Sequence, residues 1–147
     1  MRPLIAAAAL LSAAGLVAHA QPAGAGRPAD VRPPVIHERF TLLPCPSRPE
    51  STVELEGCAE HRIVRADRKI DAVAKAIFAR LPDDAARRRY IAAHRAWLAY
   101  RQADCASVSD KYEGGTLAGV LAADCTADRS ERRLKDVRAQ ERLLKTP

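Results

Sequence analysis

The chain has 147 residues, a formal charge of +6 and only 4% aromatic residues. This length suits one modest domain with a single core. The positive charge favours contact with anionic surfaces such as phospholipid headgroups or acidic wall polymers. It does not indicate nucleic-acid binding, because no nucleic-acid motif is present and few aromatics lie among the charges. A solvated arginine-rich helical surface is the simpler interpretation.

Residues 1–20 have the features of a secretory signal peptide. Arg2 gives the positive start, residues 4–17 form the apolar run, and residues 18–20 (Ala-His-Ala) give a small-x-small cleavage signal. The run is too short to span a bilayer, so cleavage is favoured over an uncleaved anchor helix, and no later segment approaches the roughly 20 apolar residues of a membrane span. Cleavage near Ala20 leaves 127 residues with a charge of +5, in a secreted or periplasmic protein.

Residues 21–44 are rich in Pro, Gly and Ala. Prolines deny this stretch regular hydrogen-bonded structure, which predicts a flexible lead-in. The chain should become ordered near Cys45, because a cysteine at this position is expected to pair with another cysteine. Residues 45–145 are then the helical domain.

The cysteines are Cys45, Cys58, Cys105 and Cys125. An even set in an exported chain favours disulfides, and neither a CxxC pair nor a histidine cluster suggests a metal site. Cys105 and Cys125 each lie ten residues from Gly115. A helical hairpin that turns at this glycine brings them to one level, which leaves Cys45 to pair with Cys58. Free thiols are the alternative.

Three helices are predicted, in an all-α, disulfide-linked three-helix hairpin or bundle. The first runs from about Ser51 to Leu81, with a capping box formed by Ser51 and Glu54. The second runs from about Asp84 to Tyr112. The third runs from Thr116 to about Lys145, and its apolar stripe changes phase. A bend within residues 125–130 and a continuous helix with a solvent-exposed far end both fit this pattern.

The second helix carries Trp97, Arg101 and Cys105 at steps of four, which places them on one stripe. An antiparallel hairpin about Asp84 puts Asp67 level with Arg101, since each lies seventeen residues from Asp84. The sequence therefore predicts an Asp67–Arg101 ion pair beside Trp97, which serves as a core aromatic. The role of this ion pair is expected to be structural rather than catalytic.

No catalytic constellation is found. The chain offers no spaced nucleophile and base, no phosphate loop and no dinucleotide fingerprint. These observations favour a binding protein without a cofactor over an enzyme.

Several segments in their order resemble the lysozyme inhibitor LprI-like family. They are Cys45, Cys58, the run Ala66–Asp71, the run His94–Cys105, Gly114–Thr116, Cys125 and Arg133. The pattern Trp-x-x-x-Arg-x-x-x-Cys followed by Gly-Gly is the most specific part. The resemblance implies a small exported helical domain that protects the bacterial envelope by binding lysozyme. His94, Ala74 and Asp71 stand where Gln, Tyr and Asn are usual in that family.

The turn between the second and third helices supplies the candidate partner contacts. They are Asp110, Lys111, Glu113, Gly114, Gly115 and Thr116. Common lysozymes are basic, so acids near the turn, including Asp104, would offset the repulsion from a chain of charge +5. Thr116 or Lys111 is the donor that would enter a cleft with an acidic floor. A tight helix connection with no further role is the simpler interpretation.

A second hypothesis is an envelope module that binds anionic wall or lipid polymers through surface arginines. The candidates are Arg62, Arg65, Arg68, Arg87, Arg88, Arg129, Arg132 and Arg138.

Overall fold

Three α-helices account for most of residues 31–146, the range that the computed structural model describes. They are α1 (Thr52–Arg80), α2 (Asp84–Ser109) and α3 (Thr116–Leu143), and a 3-10 turn, Asp110–Tyr112, follows α2. No strand occurs in the described range. The predicted all-α fold is confirmed. The predicted signal peptide, residues 1–20, and the first part of the lead-in, residues 21–30, lie outside the described residues.

The helix ends follow from local chemistry. The Ser51 side chain accepts a hydrogen bond from the Glu54 amide, and the Glu54 carboxylate accepts one from the Ser51 amide, as the capping box predicts. α1 ends at Arg80 because Leu81 precedes Pro82 and adopts an extended conformation. The Asp83 carboxylate caps α2 by accepting from the Ala86 amide at 2.7 Å.

The helix that packs along α1 is α3, not α2. The sequence predicted a directly packed hairpin of α1 and α2, but the two approach each other much less closely than α1 approaches α3. Gly119 of α3 lies against the Glu56 side chain, and Arg62 donates to Asp128 and Glu131, so α1 and α3 run in parallel. The core is formed where α1 and α3 meet, around Ile70, Ala74, Ile77, Leu134 and Val137.

α3 continues without a break through residues 125–130, but its far half is not solvent-exposed as the continuous-helix alternative expected, because Leu134 and Val137 are buried. Its buried positions are Val120, Ala127, Ser130, Leu134 and Val137. These residues follow a regular spacing of three, four and seven, typical of a helix that packs along one seam. Ala127 and Ser130 are small or polar, which explains why a stripe defined by large apolar residues changes phase.

Residues 31–44 contain no helix but are tied to the bundle, in contrast to the flexible lead-in that the sequence predicted. The Ile36 amide donates to Asp71 Oδ1 at 3.0 Å, and the Leu43 amide donates to Glu60 Oε2 at 2.8 Å. The segment therefore runs antiparallel to α1. Glu38 contacts Arg101 of α2, so residues 36–43 lie along the groove between α1 and α2 and contact both helices.

Two disulfides connect the cysteines in the predicted pairing. Cys45 is bonded to Cys58 and Cys105 to Cys125, with Cα–Cα distances of 4.6 and 5.5 Å. The first holds the end of the extended segment against α1. The second joins α2 to α3 next to their connecting turn.

Gly57 is required by the close approach of the extended segment. A Cβ atom at this position would lie 2.3 Å from the Pro44 carbonyl oxygen and 2.9 Å from Leu43 Cβ. We expect Gly57→Ala to lower the free energy of unfolding by about 2 kcal/mol, because backbone has to move. Urea unfolding of the purified variant measures this loss.

The matched experiment introduces Gly57→Ala into a Cys45→Ser/Cys58→Ser background. Without the disulfide, the Leu43–Glu60 hydrogen bond still holds the segment near Gly57, but the segment can shift more easily. Alanine also adds about 1 kcal/mol of helix propensity relative to glycine, so the loss should be clearly smaller in this background. An equal loss in both backgrounds would show that the contact with Pro44 is not what requires glycine.

Candidate functional site

Arg101 lies at the meeting point of four segments. Its Nη1 donates to Asp67 Oδ1 and Oδ2 at 3.1 and 3.0 Å and to Ser130 Oγ at 2.7 Å, and its Nη2 donates to Glu38 Oε1. The side chains of Arg101 and Asp67 are 8% and 5% exposed. The structure thus brings together the two residues that the sequence paired, and it adds an acceptor from α3 and one from the extended segment.

Trp97 is half-buried and forms a platform for two guanidinium groups. The Cζ atoms of Arg101 and Arg133 lie 5.0 and 5.5 Å from its ring centroid. His94 meets the same ring edge-on, with centroids 5.8 Å apart. Trp97 therefore packs against the core, the place expected for it, while it also orients Arg101 through cation–π contact.

The charges around Arg101 do not balance. Two carboxylates share one guanidinium, and Asp67 is buried whereas the Glu38 side chain is 22% exposed. Burial raises the pKa of Asp67 to about 6, and the neighbouring Glu38 carboxyl adds to the effect, although the Arg101 charge acts in the opposite direction. The partners of Arg101 come from α1, α3 and the extended segment, and we interpret the cluster as a structural tie.

His94 is almost fully buried on α2, with an exposed fraction of 1%. Burial and the nearby positive charges of Arg133 and Arg101 lower the pKa of His94 to about 4. The imidazole is therefore neutral at pH 7. Ala74 is also fully buried, and Asp71 accepts from the Ile36 amide, so the three departures from the family pattern lie in the packing of the bundle rather than on a free surface.

The turn from residue 110 to residue 116 is exposed along its whole length. Gly114 has φ of +79°, a left-handed conformation that favours glycine, and Gly115 precedes α3 as its N-cap. The carboxylates of Asp110 and Glu113 have no hydrogen-bond or ion-pair partner among the described residues. Asp104, expected to belong to the same acidic group, is instead bonded to Arg129 Nε at 2.6 Å.

The first turns of α1 lie beside this turn, since Gly119 near the start of α3 contacts Glu56. We define residues 50–56 and 108–117 as the turn end of the bundle. It contains five acidic residues and one lysine. It also has exposed large apolar side chains, which are Val53, Leu55, Val108, Tyr112 and Leu117. The turn end is therefore both acidic and partly apolar.

One possible metal-ligand group occurs among the described residues, and it consists of Asp104, Cys105 and Cys125. Both sulfurs are already joined in a disulfide, so they are not available as thiolate ligands.

Some of the surface arginines proposed for polymer binding already form ion pairs within the protein. Arg62 donates to Asp124, Asp128 and Glu131, Arg87 pairs with Asp84, and Arg129 pairs with Asp104. These three positive charges are neutralised within the protein.

Comparison with known families gives one match. A sequence model of the family described as Lysozyme inhibitor LprI matches residues 45–137. The chain belongs to this family. No curated protein and no solved structure matches the chain. The LprI match contains the two disulfides, the Asp67–Arg101 pair and the whole turn end, whereas the segment that carries Glu38 lies upstream of it. Within residues 31–146, no helix has the length and apolar character needed to cross a membrane.

Sequence reasoning missed Glu38 and Ser130 as partners of Arg101. Glu38 was overlooked because it lies in a proline-rich stretch that predicted flexibility. A guanidinium has five donors, more than one aspartate accepts, so a buried Arg101 was itself a signal that further acceptors were needed. Arg133 was singled out only through the family resemblance, and its contact with the Trp97 ring was not predicted.

Removal of the Arg101 side chain should be strongly destabilising. Arg101→Ala leaves Asp67 buried without its cation, and we expect a loss of about 3–5 kcal/mol in the free energy of unfolding at pH 7.5. The loss should be smaller at pH 5, because Asp67 then takes up a proton. Urea unfolding at the two pH values measures both effects.

Arg62→Ala is the matched control, because it also removes an arginine with several carboxylate partners. The Arg62 side chain is 33% exposed, so we expect a loss of about 1 kcal/mol or less. Equal losses for the two variants would contradict a buried tie at Arg101.

The pH dependence of stability should reveal the buried imidazole. The pKa of His94 is about 4 in the folded protein against 6.5 for an ordinary histidine, so the unfolded chain binds the proton more readily between these values. Stability contributed by neutral His94 is present above pH 6.5 and is lost as the pH falls towards 4. His94→Gln removes this dependence. As the pH falls from 7 to 4.5, we expect the free energy of unfolding of the parent to decrease by roughly 2 kcal/mol relative to that of His94→Gln.

Asp67→Asn should have the opposite effect. Because the pKa of Asp67 is raised in the folded state, its protonation stabilises the fold as the pH falls from about 6 to 4. Asn removes that gain, so this variant should be more acid-sensitive than the parent. Thermal unfolding from pH 4.5 to 7.5 compares how the stability of the parent, His94→Gln and Asp67→Asn depends on pH. The same pH dependence in all three proteins would refute the shifted pKa values of both residues.

Proposed function

We propose that this protein is an exported inhibitor of lysozyme and that it contacts lysozyme through the turn end. Membership of the lysozyme inhibitor LprI family supports a protein partner. The two disulfides fit an oxidising compartment outside the cytoplasm, as expected for a secreted or periplasmic protein.

Electrostatics favours the turn end over the rest of the surface. A basic lysozyme and a chain of positive net charge repel each other at long range. The turn end reverses this locally, since its acids outnumber its single lysine. An encounter led by Asp110 and Glu113 is therefore attractive, while most other orientations are not.

Apolar contacts would hold the complex after encounter. Tyr112 and Leu117 are 38% and 41% exposed, and they flank the acidic residues of the turn. Aromatic residues surrounded by polar ones are typical of interface centres. The Cys105–Cys125 disulfide lies just behind the turn and limits its motion, which lowers the entropy cost of binding. One observation carries this proposal. The carboxylates of Asp110 and Glu113 are unpaired among the described residues, and they lie beside the exposed side chain of Tyr112.

The experiment is a cell-wall clearing assay in which purified protein is titrated against a fixed amount of a basic lysozyme. Glu113→Lys should weaken inhibition roughly fivefold at low salt, because it replaces an attractive charge with a repulsive one. The difference should shrink as ionic strength rises, since the charges are exposed.

Asp136→Lys is the control variant, because it makes the same charge change at an exposed position near the far end of α3. It should inhibit nearly as well as the parent. Absence of inhibition by the parent protein at micromolar excess would remove lysozyme as the partner. Equal weakening by both variants would remove the turn end as the contact.

A further inference from the structure

A cleft of about 680 Å³ lies between the extended segment and α2. Residues 36–40 form one wall, residues 95–102 of α2 form the other, and Thr126 of α3 also contributes. The volume falls within the range of about 300–1,000 Å³ that small-molecule sites occupy. None of its lining residues belongs to the turn end.

The cleft carries uncompensated positive charge. Arg39 on the extended segment and Arg95 on α2 line it from different walls, and both are exposed. Neither guanidinium has an ion-pair or hydrogen-bond partner among the described residues. Arg101 and Glu38 also line the cleft, but the Arg101 guanidinium is already bonded to Glu38 and Asp67. Two arginines from two walls suit an oxyanion that bridges them.

Apolar and neutral polar groups complete the lining. Phe40 and Leu98 offer a half-buried apolar surface, and Gln102 and Thr126 offer an amide and a hydroxyl. An aromatic ring beside hydrogen-bonding groups matches the alternating apolar and hydroxylated faces of a sugar. The cleft therefore combines an anion site with a surface for a sugar-sized ring.

We propose that this cleft binds an acidic amino sugar, with its carboxylate between Arg39 and Arg95 and its ring against Phe40 and Leu98. Such groups occur in bacterial wall fragments. The wall made by residues 36–40 lies upstream of the region that matches the family, so family membership does not imply this site. The proposal does not rest on inhibition of lysozyme.

The test is calorimetric titration of the purified protein with N-acetylmuramic acid and with N-acetylglucosamine. The two sugars differ by the lactyl ether that carries the carboxylate. We expect the acidic sugar to bind at least about tenfold more tightly than the neutral one, and to bind more weakly as salt is added. Acetate and inorganic phosphate, tested alone, should bind more weakly than the acidic sugar because they lack the ring.

Arg39→Ala and Arg95→Ala should each weaken binding of the acidic sugar severalfold, and the double variant should abolish it. Arg88→Ala is the control, because Arg88 is an exposed arginine of the same helix outside the cleft. All these positions are exposed, so the variants are expected to fold.

Any of the following results would overturn the proposal. They are equal binding of the two sugars, equal binding of acetate and the acidic sugar, and equal weakening by Arg88→Ala and Arg95→Ala. Absence of any binding at millimolar sugar would do the same. Glu113→Lys should bind the sugar like the parent, which separates this site from the lysozyme contact.

Discussion

The fold depends on a single guanidinium with more carboxylate partners than its charge can neutralise. Arg101 connects α1 through Asp67, α3 through Ser130 and the extended segment through Glu38. Burial strengthens these interactions because solvent does not screen them, and the same burial makes the loss of one partner costly. Trp97 limits the orientations of the arginine by stacking on it. In a domain of this size, the cluster and the two disulfides fix the geometry that a larger core would otherwise provide.

This arrangement also determines where the surfaces of the protein lie. Glu38 holds the extended segment between α1 and α2, and Gly57 allows the segment to approach α1 closely. The cleft is formed between that segment and α2, with Arg39 on the segment and Arg95 on the helix. The turn end has a different origin, since it forms where α2 reverses at Gly114 beside the first turns of α1. The two surfaces therefore have separate structural causes.

Much of this architecture could be predicted from the sequence, for identifiable reasons. Capping signals at Ser51 and Asp83 gave the helix starts, and the equal spacing of Cys105 and Cys125 about Gly115 gave the disulfide pairing. The sequence was a poorer guide to which segments pack against each other. The equal spacing about Asp84 placed Asp67 level with Arg101, but it did not reveal that a proline-rich segment lies between the helices. Prolines remove regular hydrogen bonding within a segment, yet they leave its remaining amides free to bond to Asp71 and Glu60.

The protein has a positive net charge, and this charge is unevenly distributed over its surface. Its body is basic, with Arg39 and Arg95 unpaired at the cleft, whereas its turn end is acidic. Anionic polymers of the envelope attract the body and repel the turn end, and a basic lysozyme experiences the reverse. The two proposed contacts therefore select their partners by opposite charges, the basic cleft an anionic ligand and the acidic turn end a basic protein.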